Sequence, residues 1–208
     1  MRLVHIGFGK TGTTTLQNNI FPNICKQLQI PYLEYETYYE KNNFKKIDCS
    51  PLEGRNFKPL PKNFIMSSES LIGEKWQMRE MVGAFEINKL FFDKECQILI
   101  VIRKPSDIFN SIYIQNIHNF NIVKEENFFI NKDEKNLNEE DRNKFNLKDF
   151  SFKKIIDLYK SHYKKVIVIK YENLENFKFI SELVPKNKTF NNDYLKGKFS
   201  RRFNKSFS

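Results

Sequence analysis

The chain has 208 residues, a length typical of one globular domain that buries a sizeable core. Hydrophobic residues make up 40% of it and aromatic residues 15%, which excludes an intrinsically disordered chain. Its formal net charge of +10 indicates either an anionic partner (a nucleotide, a sulfated or phosphorylated substrate, or a nucleic acid) or a lysine-rich surface that only solvates the protein.

Membrane, disulfide and metal chemistry are not indicated by the sequence. No apolar run approaches the roughly 18 to 20 residues needed to span a bilayer. The first apolar run, residues 3–6, is far too short for the core of a signal peptide. The cysteines and histidines are scattered, without the close pairs that mark disulfide frameworks or zinc sites. We therefore expect a cytoplasmic protein that requires no metal.

Runs of β-branched and aliphatic residues alternate with helical patterns along the chain. The runs predict strands at residues 3–6, 64–66, 98–102 and 166–169. Helices are predicted at residues 14–29, 77–91, 107–120 and 152–163. Three of the strands show little polar alternation, as in parallel strands buried on both faces. The pattern predicts a single α/β domain over residues 1–208, a three-layer sandwich around a central, mostly parallel sheet.

Three stretches fall outside this pattern. Residues 41–62 contain three prolines among lysines and asparagines and predict a long loop. Residues 121–149 are highly charged and lack a clean period, which is typical of a flexible surface excursion or of a lid that recognises an acceptor. Residues 185–208 form a C-terminal segment in which basic residues are concentrated, and this concentration favours an anion-binding role for it.

Ligands of open α/β sheets bind beyond the carboxyl ends of the strands, so the residues just after each predicted strand are the ones to inspect. These residues read GFGKTGTTT (7–15), SSES (67–70), RKPSDIFNS (103–111) and KYENL (170–174). The first contains a glycine-rich loop with a lysine, the second a carboxylate, and the third an arginine with a serine eight residues later. We expect the site to be built from these three stretches.

The glycine-rich loop departs from the nucleoside-triphosphate motif GxxxxGK[ST]. Gly7 and Gly12 have the required spacing, but Thr13 stands where the lysine belongs, and the lysine is Lys10. The most apolar strand is followed by Arg103, and no predicted strand ends in an aspartate that would hold magnesium. The loop is therefore predicted to bind an anion other than a triphosphate.

Two motifs identify a resemblance. The segment GKTGTTTL resembles the 5′-phosphosulfate loop of sulfotransferases that use 3′-phosphoadenosine 5′-phosphosulfate (PAPS), closest to the carbohydrate-modifying, heparan-type and bacterial branch. The segment RKPSDIFNSIY looks like the second signature of that family, with Arg103 at a strand end, Pro105 opening a helix and Ser111 eight residues after the arginine. The resemblance implies the P-loop-like sulfotransferase fold.

The resemblance also implies roles for these residues. Backbone N–H groups and hydroxyls of the loop would bind the 5′-phosphate, and Lys10 would stabilise the leaving group. Arg103 and Ser111 would bind the 3′-phosphate, together with the K-G-K element near the C-terminus. The donor-binding residues predicted in this way are Lys10, Thr11, Gly12, Thr13, Thr14, Thr15, Arg103, Ser111, Lys196, Gly197 and Lys198.

Two residues are candidates for the base that deprotonates the acceptor. Glu69 follows a predicted strand, and carbohydrate sulfotransferases commonly use a glutamate. His118 shares a predicted helix face with Ser111 at a spacing of seven residues, and the aryl and steroid branch uses histidine. We favour Glu69.

The expected reaction is transfer of the sulfonyl group of PAPS to a hydroxyl or amine, with release of adenosine 3′,5′-bisphosphate (PAP). The favoured acceptor is a glycan or another small metabolite, while a lipid, a peptide and a small alcohol stay open. The alternatives are a P-loop-type small-molecule kinase and a non-catalytic basic nucleic-acid-binding protein. The kinase alternative lacks a lysine directly after Gly12 and an aspartate that would bind magnesium. A nucleic-acid-binding role does not explain Lys10 together with the Arg103 and Ser111 pair, so we expect no nucleic-acid partner.

Overall fold

The computed structural model describes residues 1–35, 59–73, 78–120, 128–133, 136–138, 141, 144–148 and 150–184. Most of the predicted loop over residues 41–62 lies outside the described residues. So does the basic C-terminal segment, with the predicted phosphate ligands Lys196, Gly197 and Lys198.

A parallel β-sheet forms the centre of the molecule. In chain order its strands are β1 (Arg2–Ile6), β2 (Tyr32–Glu34), β3 (Phe64–Ser68), β4 (Gln97–Ile102) and β7 (Lys165–Lys170). Within the described residues they lie in the order β2-β3-β1-β4-β7, and every neighbouring pair is parallel. The predicted strands and the parallel sheet are confirmed. β2 was not predicted, because its three residues alternate without an apolar run.

Helices connect these strands. In the described parts of the chain they are α1 (Thr13–Thr15), a π-helical turn (Leu16–Ile20), α2 (Phe21–Leu28), a 3-10 helix (Ser70–Ile72), α3 (Met78–Phe91), α4 (Pro105–Phe120), α5 (Phe152–His162), a second 3-10 helix (Tyr171–Asn176) and α6 (Ile180–Leu183). The predicted helices are confirmed. The first is continuous from residue 13 to residue 28 but contains the π turn, which sequence periodicity does not reveal.

Two hydrophobic clusters cover the two faces of the sheet in the described structure. Successive strand residues point to opposite faces, and they divide accordingly: Leu3 belongs to one cluster and Val4 to the other. The first cluster includes residues of the π turn, α2 and α6, and the second includes residues of α3 and α5. This arrangement confirms the predicted α/β sandwich.

The charged segment that was predicted as a surface excursion or a lid contains regular structure. Its strands β5 (Phe129–Ile130) and β6 (Phe145–Asn146) form a small parallel pair. Asp141 is buried there and accepts hydrogen bonds from Lys132 Nζ at 2.7 Å and from the Asn138 backbone N–H at 3.2 Å.

No helix in the described part of the chain is both long and apolar enough to cross a bilayer.

Candidate active site

The glycine-rich loop connects β1 to α1 at the carboxyl edge of the sheet. The Gly7 N–H donates to the Ser68 carbonyl at 3.1 Å, which joins the start of the loop to the end of β3. A Cβ atom at Gly7 would lie 2.9 Å from Thr13 Cγ2 and 3.2 Å from that carbonyl. Glycine is therefore required here for close packing of the loop against β3.

Lys10 occupies the turn of the loop in a left-handed backbone conformation, with φ of 64°. This conformation costs a non-glycine residue about 1–2 kcal/mol, so the surrounding structure must hold it. Arg103 supplies part of that support, because its Nη1 donates to the Lys10 carbonyl at 3.1 Å. The arginine of the second motif thus helps to hold the backbone of the lysine that stands too early for a triphosphate loop.

The threonines of the loop divide into two groups. The Thr11 and Thr13 hydroxyls are buried and donate to the Phe8 carbonyl at 2.5 and 3.0 Å, so they close the loop on itself. The predicted hydroxyl contact from Thr13 to a phosphate is not available in this arrangement, and its backbone N–H is the group left to bind one. Thr14 is exposed and Thr15 is half-buried, and their hydroxyls stay predicted phosphate ligands.

Gly12 is the N-cap of the helical segment that follows, which begins at Thr13. Gly12 has φ of 81°, and its carbonyl accepts from the backbone N–H groups of Thr15 and Leu16 at 3.0 and 3.1 Å. Glycine has no side chain that could cap the first N–H groups. These groups and the helix dipole supply positive potential beside Lys10, as expected of an anion site.

Arg103 lies between the loop and the end of β7. Its guanidinium stacks on the Tyr171 ring, with 4.6 Å between the guanidinium carbon and the ring centroid. Its Nε is buried and has no hydrogen-bond partner among the described residues. Ser111, the second predicted ligand of the 3′-phosphate, is half-buried in the second turn of α4, which begins two residues after Arg103.

Tyr171 is a site residue that the sequence analysis missed. A Cβ atom at Gly12 would lie 3.0 Å from Tyr171 Cε2, so the ring contacts the loop as well as Arg103. Burial raises the pKa of Tyr171, which keeps the phenol neutral. The available signal was its place in KYENL, directly after the last strand. A tyrosine there does not by itself indicate anion chemistry.

Glu69 lies at the same edge of the sheet as the loop. β1 and β3 pair with Ile6 opposite Ser68, so Glu69 is the first residue beyond the paired strands and adjoins Gly7. It is exposed, and it precedes the 3-10 helix, where its carbonyl accepts from the Ile72 N–H at 3.3 Å. His118 is the fourteenth residue of α4, about 20 Å along the helix from Pro105, and its side chain lies outside the described structure. Position therefore favours Glu69.

An aromatic cluster joins the loop to the described residues of the segment 128–150. Phe8 contacts Phe152 with 4.8 Å between ring centroids, and Phe150 contacts Phe109 of α4 at 5.2 Å. The members are Phe8, Phe109, Tyr113, Phe128, Phe129, Phe145, Phe150 and Phe152. The cluster places the described part of the charged segment beside the glycine-rich loop.

Comparison with known proteins decides the family. A family model described as a sulfotransferase domain matches residues 2–181. The chain belongs to the sulfotransferase family. The matched region of this sulfotransferase contains Lys10, Glu69, Arg103 and Ser111, and the basic C-terminal segment lies beyond it.

One solved structure and the curated proteins complete the comparison. The chain is similar to the crystal structure of a sulfotransferase from Alicyclobacillus acidocaldarius, at 14% sequence identity and a TM-score of 0.48, over 98% of this chain and 91% of that chain. No curated protein matches the sequence.

Within the described residues, no three histidine, cysteine or carboxylate side chains are grouped as metal ligands.

Proposed function

We propose that this sulfotransferase uses PAPS as its donor and transfers the sulfonyl group to a hydroxyl or amine of a glycan or another small metabolite, releasing PAP. The observation that carries the proposal is the hydrogen bond from Arg103 to the Lys10 carbonyl. It brings together two motifs that lie 93 residues apart in the sequence. The loop is thereby linked to the predicted 3′-phosphate site.

The loop suits a donor with a single 5′-phosphate joined to a sulfonate. The helix N-terminus at Gly12 and the backbone N–H groups around it offer donors to that phosphate. Lys10 can stabilise the negative charge that develops on the bridging oxygen as the sulfur–oxygen bond breaks. Glu69 accepts the proton of the acceptor as the acceptor oxygen or nitrogen attacks sulfur.

Arg103 suits the 3′-phosphate, which distinguishes PAPS from other activated nucleotides. A guanidinium carries five N–H donors, and Arg103 uses one of them on the Lys10 carbonyl. Stacking on Tyr171 fixes the plane of the remaining donors, which favours a bidentate contact with a phosphate. Ser111 is proposed as the second ligand, and Lys196, Gly197 and Lys198 as further ligands.

A thermal-shift screen followed by a transfer assay tests the proposal. PAP should raise the melting temperature more than adenosine 5′-monophosphate (AMP), ATP, GTP or NAD, because a ligand stabilises the state that it binds. The protein should then move labelled sulfonate from PAPS to a member of an acceptor panel. Preference for ATP would support the kinase alternative. Salt-sensitive DNA binding without any nucleotide effect would support the nucleic-acid alternative.

Two controls refine the chemistry. Activity should persist in EDTA, because Lys10 and the helix N-terminus supply the positive charge. Loss of activity that magnesium restores would contradict this prediction. Glu69→Gln should lower the rate by roughly 10²-fold with PAP binding unchanged, whereas His118→Ala should not. The reverse result would make His118 the base.

A further inference from the structure

A polar contact lies between the phosphate loop and the proposed base. Ser67 is the residue of β3 two positions before Glu69, and its carbonyl accepts a hydrogen bond from Gln17 Nε2 at 3.2 Å. Its hydroxyl lies 2.8 Å from His5 Nδ1 on the neighbouring strand, and both side chains are buried. Ser67 is therefore contacted both by the helical segment that follows the loop and by β1.

Gln17 reaches this carbonyl from an unusual piece of helix. It is the second residue of the π-helical turn that follows α1, and its side chain is half-buried. A π turn inserts an extra residue into a helical turn and redirects the side chains around it, and such turns occur often at functional sites. In this protein the turn begins at Leu16, directly after the last threonine of the loop, Thr15.

Further hydrogen bonds join this contact to the proposed base. The Gly7 N–H donates to the Ser68 carbonyl at 3.1 Å, and the Ser70 N–H donates to Ser68 Oγ at 3.0 Å. Glu69 lies between these two serines. Among these contacts, the one from Gln17 is made by the amide of a half-buried side chain, which can be replaced without changing the backbone.

We propose that Gln17 is a positioning residue for sulfonyl transfer, whose amide fixes the end of β3, and with it Glu69, relative to the phosphate loop. The inference rests on the proposed function. Gln17 acts through Glu69 and not on the donor, so its loss should slow the chemical step without weakening nucleotide binding. Misplacement of a catalytic group by about 1 Å can cost up to about 10²-fold in rate.

A double-mutant cycle tests this role. Gln17→Leu removes the hydrogen bond at similar volume and should lower kcat by about tenfold to a hundredfold, with the affinity for PAP within about twofold of wild type. If Gln17 acts through Glu69, the variant carrying both Gln17→Leu and Glu69→Gln should be no slower than Glu69→Gln alone. Asn18→Leu is the matched control, because Asn18 lies in the same π turn and is exposed. It should leave kcat unchanged.

The outcomes separate cleanly. A double variant slowed by the product of the two single effects would show a merely structural contact and overturn the inference, as would wild-type kcat in Gln17→Leu or in Glu69→Gln. If Gln17→Leu does not fold, Gln17→Met completes the same cycle. A wild-type protein that transfers no sulfonyl group would refute the proposed function, and this inference with it. An active wild type with an additive cycle would refute this inference alone.

Discussion

The glycine-rich loop and the described part of residues 128–150 lie beside each other but are held by different interactions. The loop depends on backbone geometry, with left-handed conformations at Lys10 and Gly12 and two threonine hydroxyls that donate to the Phe8 carbonyl. The described part of residues 128–150 depends on packed phenylalanine rings and on the ion pair of the buried Asp141 with the partly exposed Lys132. A substitution that adds a single carbon at a loop glycine should therefore destabilise the loop. The ring cluster should tolerate substitutions that preserve side-chain volume.

The largest effect is expected at Lys10. Lys10→Ala should lower the transfer rate by about 10³-fold or more, because it removes the cation proposed to stabilise the leaving group. PAP should still stabilise the protein, though less, since backbone N–H groups are also proposed to bind the 5′-phosphate. Rate measurements and melting curves with PAP give the two readouts. Near-normal turnover would mean that the loop does not act in catalysis.

Gly12→Ala breaks the loop through its backbone. The added Cβ combines a φ of 81° with contacts of 3.0 Å to Tyr171 and Leu174. We expect the free energy of unfolding to fall by roughly 1–3 kcal/mol, with loss of PAP binding. Gly83→Ala is the matched control, because no described atom lies within 4 Å of its Cβ position in α3. It should stabilise the protein by about 0.5–1 kcal/mol. Equal effects in denaturation curves would contradict the geometric argument.

Phe150 tests the other side of the comparison. It is half-buried and contacts Phe109, Phe145 and Phe152 in the aromatic cluster. Phe150→Ala should cost about 1–2 kcal/mol of unfolding free energy, less than a fully buried phenylalanine, and Phe150→Leu should cost less still. PAP affinity, measured by calorimetry, should be unchanged in both. A parallel loss of PAP affinity would show that the two regions are energetically coupled.

His5 of β1 and Asp141 of the charged segment should respond to acid at different pH. Burial lowers the pKa of His5 to about 3, below the 6.5 of the unfolded chain, so the unfolded state binds the proton first as pH falls. Stability should therefore decline below pH 6.5, by about 1 kcal/mol between pH 6 and pH 5. The hydrogen bond from Lys132 lowers the pKa of Asp141, so its contribution is present above its usual 3.8 and is lost only below it. His5→Gln should flatten the decline between pH 6 and pH 5, and an unchanged slope would contradict this assignment.

The same contrast explains how much could be predicted from the sequence. A loop that needs glycine at fixed spacings, with a lysine and an arginine at strand ends, leaves a pattern of residue types, and Lys10 and Arg103 do lie together. The packed rings have no fixed spacing in the sequence. The charged residues between the phenylalanines led to the prediction of a surface excursion or a lid, so the cluster around Phe150 was not predicted. Tyr171 and Gln17 were also missed, because stacking on Arg103 and an amide reaching from a π turn depend on tertiary contacts.

The 3′-phosphate supplies the most direct measurement of the central claim, because PAP and AMP differ only in that group. Calorimetric titration should show that wild type binds PAP at least about tenfold more tightly, since charge-assisted contacts contribute roughly 1.5–3 kcal/mol each. Arg103→Ala should lower the affinity for both nucleotides, because Arg103 also donates to the Lys10 carbonyl. The ratio of the PAP affinity to the AMP affinity should nevertheless fall towards one. Ser111→Ala should reduce the preference less. Equal affinity of the wild-type protein for PAP and AMP would contradict the account.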